Sequence, residues 1–344
     1  MASEPRRKAT VRQIAAQTGV SIATVSRVLN GHPHVADHTR ELIQQAVERL
    51  GPHAPNRRAA ARRHTGEPAP AGVFVRCPYQ LTDYFGLIVT SIAETLHLHG
   101  RHLVLDAGNI AQDETILPSL STRPGIEGAI LILPPEPDDQ LQNLRSTRFP
   151  FVIVDPRTPP PRDTPAVSAA HFSGGRAVTE HLLQLGHRRI GVLAGPQNWL
   201  AGKARLAGHT SALADIGMLA DPGLIRSAEP TTTFGHTTAA ELLDLADPPT
   251  AIIGFNDKVA VGIIAAAADR GLRVPDDLSV TGFDDLDLAR ATTPKLTTVR
   301  QPVEEMGRMA VSLMIRILER HQLDALHVEL ATELVIRGST GVPQ

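Results

Sequence analysis

Cysteine and long apolar runs are both scarce in this chain. Cys77 is the single cysteine, which rules out an intramolecular disulfide and any metal site built from several thiolates. No stretch approaches the roughly eighteen uninterrupted apolar residues that a helix needs to cross a bilayer. Residues 1–19 are basic but lack the apolar segment and cleavage site of a secretory signal. We therefore expect a cytoplasmic protein without a membrane anchor.

Sequence signatures of common enzymes are also missing. The chain has no GxSxG, HExxH, Walker-type or GxGxxG motif, the patterns typical of hydrolases, zinc proteases, nucleoside triphosphatases and dinucleotide-binding enzymes. We accordingly expect no enzymatic activity, no cofactor and no metal. An α/β enzyme is kept as an alternative, which turnover of a ligand by the pure protein would reveal.

Charge is distributed unevenly although the formal net charge is only −2. Residues 1–65 hold 11 Lys and Arg against 4 Asp and Glu, whereas the remaining 279 residues hold 23 against 32. A basic head on a mildly acidic body suggests that the head alone contacts an anion such as nucleic acid.

A chain of 344 residues is too long to fold around one hydrophobic core of ordinary size, so two or three domains are expected.

The head has the pattern of three short helices. The first is indicated by apolar spacing that ends at a glycine, over Val11, Ile14, Ala15, Thr18 and Gly19. Ser21 is placed to cap a second helix, in which Ile22, Val25 and Leu29 form an apolar stripe. The third has its apolar positions at Leu42, Ile43, Ala46, Val47 and Leu50. Two such helices joined by a glycine turn predict a helix-turn-helix.

The other side of the second helix carries no acidic residue. It offers Ala23, Ser26, Arg27 and Asn30, and an Asp or Glu there would repel phosphate. Arginine reads base edges in the major groove, and hydroxyl and amide groups suit phosphate oxygens. The helix is therefore either a DNA-reading helix or simply the solvated helix of a small bundle.

The stretch TVRQIAAQTGVSIATVSRVLNGHPHVADHTRELIQQAVERLG, residues 10–51, resembles the N-terminus of LacI/GalR-type bacterial transcriptional regulators. The likeness lies in "GVS", "TVSRVLN" and a later "V…TR". It implies that Ile22, Ala23 and Arg27 face base edges, with Arg27 the principal reader. The full set of DNA contacts that it implies in this helix is Ser21, Ile22, Ala23, Thr24, Ser26, Arg27 and Asn30. For Ile22, packing in the core is the equal alternative.

The linker departs from the family's pattern. In these regulators the corresponding segment is a hinge helix that enters the minor groove and inserts a leucine wedge. Asn56 and Ala59 match the hinge pattern, but Arg62 occupies the place of the wedge. Arginine suits a narrow, negative minor groove. We therefore expect the operator DNA to bend less and the affinity for operator DNA to depend more strongly on salt. Alternatively, Arg62 contacts phosphate and another residue acts as the wedge.

The body alternates short apolar runs with amphipathic stretches, which predicts two α/β lobes with parallel sheets. The predicted strands are GVFVRC, HLVLDAG, GAILIL and FVIVD, followed by RRIGVLAG, TAIIGF and LSVTGFD. Helices are predicted near 84–98, 110–121, 138–147, 173–185, 202–216, 235–246 and 257–270. Ligands of open parallel sheets bind beyond the carboxyl ends of the strands. The polar residues at such ends are Asp155, the pair Asn256-Asp257 and the pair Asp284-Asp285.

The body resembles the effector domain of the same regulators, which is similar to periplasmic sugar-binding proteins. "GGRAVTEHLLQLGHRRIGVLAGP" and "FNDKVAVGIIAAAADRGLRVPDDLSVTGFDD" carry this likeness. It implies an effector cleft lined by Tyr84, Phe85, Asp155, Arg205, Asn256, Asp284 and Gln301. Trp199 either joins this cleft or packs in the interior. Thr82-Asp83 and Ala170-His171 replace the family's usual Asn-Pro and Asp-Asn, which weakens the case for an ordinary sugar.

Three smaller patterns leave alternatives open. "SGGR", residues 173–176, could cradle a phosphate, but capping and packing at a helix start is favoured. "GFDDLD", residues 282–287, could hold a metal, although a strand-end ligand and helix cap is the better interpretation. The histidine pairs in "HPH" and "HLH", residues 32–34 and 97–99, have no recognisable third ligand, which favours surface or local hydrogen-bonding roles.

Together these patterns predict an all-α helix-turn-helix head and a two-lobed α/β domain like that of periplasmic binding proteins. The expected domains are 1–53 for DNA binding, 54–70 for the hinge and linker, and 71–344 for effector binding and dimerisation. We expect a homodimeric repressor that binds a pseudo-palindromic operator and releases it when a small molecule, such as a sugar or related metabolite, binds. The alternatives are a solute-binding protein and a corepressor-type regulator of a nucleobase-like ligand.

Overall fold

The computed structural model describes residues 11–29, 35–50, 71–77, 79–108, 116–136 and 138–344. The chain divides into two compact units, residues 1–69 and 70–344, which we call the head and the body. The head contains three helices and the body two lobes built on parallel sheets.

The predicted helix-turn-helix is present in the head. Its helices are α1 (Val11–Thr18), α2 (Ile22–Leu29) and α3 (Asp37–Leu50). Gly19 ends α1 with a φ of 68°, a left-handed conformation that costs glycine little. The small apolar core, which Val20 contacts from the turn, consists of Ile14, Val25, Val28, Ile43 and Ala46.

The predicted apolar stripe of α2 is wrong at its first position. Ile22 is 52% exposed, whereas Val25 and Val28 are buried. Ile22 is the first residue of the helix, and the face that meets the other two helices passes through Val25 and Val28 instead. Leu42 of α3 is likewise exposed, because that helix buries the side carrying Ile43. The alternative of a core role for Ile22 is therefore excluded.

The first lobe of the body is built on a parallel sheet with strand order β11-β5-β4-β3-β1-β2. Its strands are β1 (Gly72–Cys77), β2 (His102–Ala107), β3 (Ile126–Ile132), β4 (Phe151–Val154), β5 (Ala166–Ala169) and β11 (His327–Leu330). The first four coincide with predicted strands, which are continuous apolar runs because helices cover both faces of the sheet. Val73 and Val75 face one helical layer, and Phe74 faces the other.

The helices of this lobe are α4 (Asp83–Leu98), α5 (Ile116–Ser119), α6 (Asp138–Ser146) and α12 (Val303–Leu318). α4 and α12 pack together on one face of the sheet, and α5 and α6 lie on the other. Of the helix predicted over 110–121, residues 116–119 are α-helical and 120–122 form a 3₁₀ turn, while residues 109–115 lie outside the described part.

The second lobe has a parallel sheet with order β7-β6-β8-β9. Its strands are β6 (Ile190–Ala194), β7 (Ile225–Ser227), β8 (Ala251–Gly254) and β9 (Ser279–Thr281). The helices around it are α7 (His171–Gln184), α8 (Leu200–Asp215), α9 (Thr232–Leu243), α10 (Asp257–Asp269) and the short α11 (Asp287–Ala291). Patterning predicted the four long helices to within a few residues.

Three crossovers connect the lobes. The chain leaves the first lobe after β5 to begin α7, returns between β10 (Thr298–Arg300) and α12, and crosses again between β11 and β12 (Glu333–Val335). β10 and β12 pair antiparallel beside the second lobe. Among the described residues, no helix has the length and apolarity that a membrane span requires.

Candidate effector cavity and DNA-reading helix

A cavity of about 310 Å³ lies between the lobes of the body, at the carboxyl ends of strands from both sheets. This is where open parallel sheets bind ligands. The structure brings all the predicted effector residues together on its wall: Tyr84, Phe85, Asp155, Trp199, Arg205, Asn256, Asp284 and Gln301. Their contact with a ligand stays a prediction.

Asp155 is the carboxylate that the first lobe contributes. It follows β4 directly with a φ of 51°, a conformation that non-glycine residues adopt at a cost of about 1 kcal/mol or more. Oδ1 lies 2.7 Å from Nε2 of His171, and Oδ2 accepts a hydrogen bond of 3.0 Å from the Tyr84 hydroxyl. Burial alone raises the pKa of Asp155, but its contacts with His171, Arg205 and Tyr84 outweigh burial and lower it.

Arg205 extends from α8 of the second lobe towards Asp155. Its guanidinium donates to the carbonyl oxygen of Phe255 at 2.6 Å and contacts Nδ1 of His171 at 3.3–3.4 Å. The guanidinium carbon also lies 3.6 Å from the ring centroid of Phe283 and 4.3 Å from that of Phe255. These contacts fix the fork of donors in one orientation, as recognition of paired hydroxyls requires.

Asp284 is the carboxylate of the second lobe. It follows β9 with a φ of 122°, and its Oδ1 accepts a 2.6 Å hydrogen bond from Nε2 of Gln301. No hydrogen bond within the described part of the chain reaches its Oδ2. Burial, reinforced by the charge of Asp155, raises the pKa of Asp284 despite nearby Arg205. Oε1 of Gln301 is buried and has no partner among the described residues, so both side chains retain acceptor capacity.

Asn256 and Asp257 begin α10 at the same edge. Oδ1 of Asn256 accepts the backbone N–H of Val259, which caps the helix and leaves its amide N–H groups as donors. Asp257, which the sequence places beside Asn256 at a strand end, also lines the cavity, although the resemblance to known regulators does not include it. Thr298 and the Leu286 N–H donate to its carboxylate, and burial together with nearby Asp284 raises its pKa.

An aromatic wall completes the cavity. Tyr79 and Phe85 stack with centroids 4.8 Å apart, and Trp199 meets Phe255 edge-on at 6.5 Å. The Arg157 guanidinium lies 4.7 Å from the Trp199 centroid and 5.6 Å from that of Tyr79, which links the two lobes. Trp199 is 9% exposed, so it lines the cavity and is also packed. Sequence reasoning missed Tyr79, Arg157 and Phe255, all of which follow strand ends.

The glycines of "SGGR" pack helices rather than form a loop. A Cβ on Gly175 would lie 2.3 Å from the carbonyl oxygen of Arg205, and one on Gly174 would lie 2.7 Å from the Phe283 ring. Both glycines are inside α7, so the structure supports the packing interpretation over a phosphate cradle. The close approach of α7 and α8 brings Arg205 to the cavity.

The carboxylates of "GFDDLD" have separate partners. Asp284 accepts from Gln301, whereas Asp285 accepts from Arg337 and, at 2.8 Å, from Arg300. Burial alone raises the pKa of Asp285, but these arginines outweigh it and lower the pKa. The contacts support the interpretation of this motif as a strand-end site with local ion pairs.

In "HLH", His97 and His99 are exposed near the end of α4. The "HPH" residues lie outside the described part.

In the head, the start of α2 has the expected cap. Oγ of Ser21 accepts the backbone N–H of Thr24 at 3.1 Å, as an N-cap should. Ile22, half exposed, is accessible for an apolar contact such as a thymine methyl. The side chains of Ala23, Ser26 and Arg27 lie outside the described residues, as do Asn30, Asn56, Ala59 and Arg62.

Comparison with known proteins agrees with this architecture. Residues 10–56 match the family described as "Bacterial regulatory proteins, lacI family", and residues 179–340 match a "Periplasmic binding protein-like domain". The HTH-type transcriptional regulator CelR of Thermobifida fusca is 31% identical over 339 residues, which cover 98% of this chain and 99% of CelR. The HTH-type transcriptional repressor CytR of Escherichia coli K12 is 31% identical over 96% of each chain.

The chain belongs to the lacI family of bacterial regulatory proteins. The predicted fold class and the predicted function as a DNA-binding transcriptional regulator are thereby confirmed.

Solved structures of the lacI family show the same fold. The complex of the transcriptional regulator CelR with cellobiose aligns with a TM-score of 0.73 at 30% identity, over 96% of this chain and all of that one. The lac repressor dimer bound to operator and the anti-inducer ONPF aligns with a TM-score of 0.71 at 27% identity, over 97% and 100% of the two chains. These lacI-family relatives are regulators rather than enzymes.

Proposed function

We propose that this lacI-family regulator is a homodimeric repressor in the cytoplasm, and that a small polyhydroxylated ring compound binds its cavity and weakens its hold on a pseudo-palindromic operator. CelR and the lac repressor support this proposal, since their structures contain cellobiose and the anti-inducer ONPF. On this proposal the cavity binds its ligand without transforming it.

The observation that carries the proposal is the mixture of donors and acceptors at the cavity wall. Asp284 and Gln301 offer acceptors, while Arg205 and Asn256 keep N–H donors. Adjacent hydroxyl groups can donate to the first pair and accept from the second. The rings of Tyr79, Phe85 and Trp199 supply a surface for the apolar face of a ring compound.

A corepressor role for a planar, nucleobase-like ligand is the second candidate. The stacked pair Tyr79 and Phe85, with Trp199 across the cavity, could sandwich a flat heterocycle. The two candidates predict opposite signs: an inducer lowers operator affinity when it binds, and a corepressor raises it.

The test is a binding titration of the full chain on the DNA upstream of its own gene. We expect retardation at low salt that is lost in Arg27→Ala, because bidentate arginine contacts to guanine contribute about 1–3 kcal/mol of discrimination. Cellobiose, ribose and adenine are then added in separate titrations. Weaker DNA binding with a sugar supports induction, stronger binding with adenine supports corepression, and DNA binding unchanged in Arg27→Ala contradicts the assigned reading helix.

The hinge hypothesis has its own measurement. Arg62→Leu restores the family's wedge residue, so we expect a larger DNA bend angle and a shallower dependence of affinity on salt. Loss of one phosphate-neutralising charge lowers the salt slope by about one. Identical bend angles and slopes in both proteins would contradict a role for Arg62 in the minor groove.

A further inference from the structure

We propose that His171 is a positioning residue of the effector cavity, which holds Arg205 of the second lobe and Asp155 of the first in one hydrogen-bonded relay. The inference rests on the proposed function of the cavity and concerns a residue that does not itself line it.

The relay is defined by its contacts. Nε2 of His171 lies 2.7 Å from Oδ1 of Asp155, and Nδ1 lies 3.3–3.4 Å from two guanidinium nitrogens of Arg205. His171 is 4% exposed and Asp155 is 6% exposed. Water therefore has little access to the relay, and hydrogen bonds to ionised groups are strong in such surroundings.

The arrangement selects one imidazole tautomer. A guanidinium has N–H donors and no acceptor, so Nδ1 of His171 must accept from Arg205. The hydrogen then resides on Nε2, which donates to Asp155. A neutral imidazole in this orientation stands between the cation and the anion and contacts both. Both charged groups keep their orientation, and N–H groups of Arg205 stay available to a ligand.

The position of His171 in the fold ties the relay to both lobes. It is the first residue of α7, at the first crossover after β5. The preceding Ala170 donates its N–H to Leu330, and its carbonyl oxygen lies 3.4 Å from the Thr332 hydroxyl at the third crossover. A movement of one lobe against the other must therefore displace an anchor of this relay, and a ligand that holds Arg205 and Asp155 opposes that movement.

Two variants separate positioning from packing. His171→Gln keeps an N–H near the Nε2 position, whereas His171→Phe keeps the ring and removes both hydrogen bonds. Affinity is measured from the emission of Trp199, the single tryptophan, with whichever of cellobiose and ribose the full-length wild type binds. We expect about 30-fold weaker sugar binding in His171→Phe, because this variant loses the hydrogen bonds to the ionised groups of Arg205 and Asp155. In His171→Gln, which keeps an N–H donor, we expect a loss of less than about fivefold.

The control is His181→Gln, a change to a second buried histidine of α7 that contacts Thr340 instead of the cavity. Its sugar affinity should equal that of the wild type. Equal losses in both His171 variants, or none in His171→Phe, would overturn the proposal. A cooperative urea unfolding transition in every variant shows that it folds.

A measurement without any ligand keeps the inference separate from the proposed function. In ¹⁵N-histidine-labelled protein, the His171 signals, assigned by their loss in His171→Gln, should show the Nε2–H tautomer at neutral pH. An Nδ1–H tautomer or an imidazolium would overturn the relay even if a sugar binds. The expected tautomer with no sugar bound would leave the relay intact and contradict the proposed class of effector.

Discussion

Asp155 in the first lobe and Asp284 in the second occupy matching places. Each follows a strand with a positive φ, and each contacts a residue at a crossover, His171 in one case and Gln301 in the other. Their electrostatics are opposite, because contacts lower the pKa of Asp155 while burial raises that of Asp284. Matching places after a strand thus hold one carboxylate whose pKa is lowered by its contacts and one whose pKa is raised by burial.

The largest expected effect comes from neutralising each carboxylate in turn. Asp155→Asn should lower the free energy of unfolding by about 3 kcal/mol, since it removes the partner of buried groups. Asp284→Asn should leave stability equal or higher, because burial disfavours its charged form, yet weaken sugar binding about 100-fold. Urea unfolding and Trp199 titrations measure the two quantities. A similar stability loss in both variants would remove the contrast between the lobes.

Two helix glycines, one in each lobe, differ in the space around them. Gly175→Ala in the second lobe places a Cβ 2.3 Å from the backbone of Arg205, so we expect a loss of about 2 kcal/mol of stability and displaced cavity contacts. Gly86→Ala, in α4 of the first lobe, meets no atom within 4 Å and should stabilise its helix by about 0.5 kcal/mol. Melting temperatures that shift in the same direction would contradict this difference in packing.

Buried histidines make the second lobe sensitive to acid. Burial lowers the pKa of His209 to about 4, below the ordinary value near 6.5 of an unfolded chain. The unfolded state therefore binds the proton more readily, and stability falls as pH drops from about 6.5 towards 4. We expect His209 to account for roughly 2 kcal/mol between pH 7 and pH 5. Urea unfolding of His209→Gln should show a shallower pH dependence, and an unchanged slope would contradict the assignment.

The smallest effect concerns the cation that joins the lobes at the aromatic wall. Arg157→Gln removes the stacking on Trp199 and Tyr79, so sugar affinity should fall about threefold and the Trp199 emission should shift. Arg123→Gln is a matched control, since that guanidinium lies 5.4 Å from the Phe74 centroid. Equal effects of the two changes would mean that the contact between the lobes has no special role.

Much of the fold was predictable because apolar periodicity and glycine turns are local signals. The helix-turn-helix, seven of the strands and the long helices of the second lobe follow from that patterning. The short strands β5, β7, β10, β11 and β12 were missed, since they have three or four residues each and gain stability only from partners distant in sequence. The core role considered as an alternative for Ile22 was wrong for a related reason, because spacing alone does not show which face of a short helix meets its neighbours.

The residues of the candidate cavity were likewise predictable in part. By itself, the sequence determined the strand ends at which polar groups converge, and its resemblance to known regulators selected the residues that the structure brings together. Only the tertiary structure decided that His171 lies between Arg205 and Asp155, that Arg157 stacks on a ring of each lobe, and that the two carboxylates differ in pKa. These properties depend on burial and on distances between residues far apart in sequence, which no local pattern encodes.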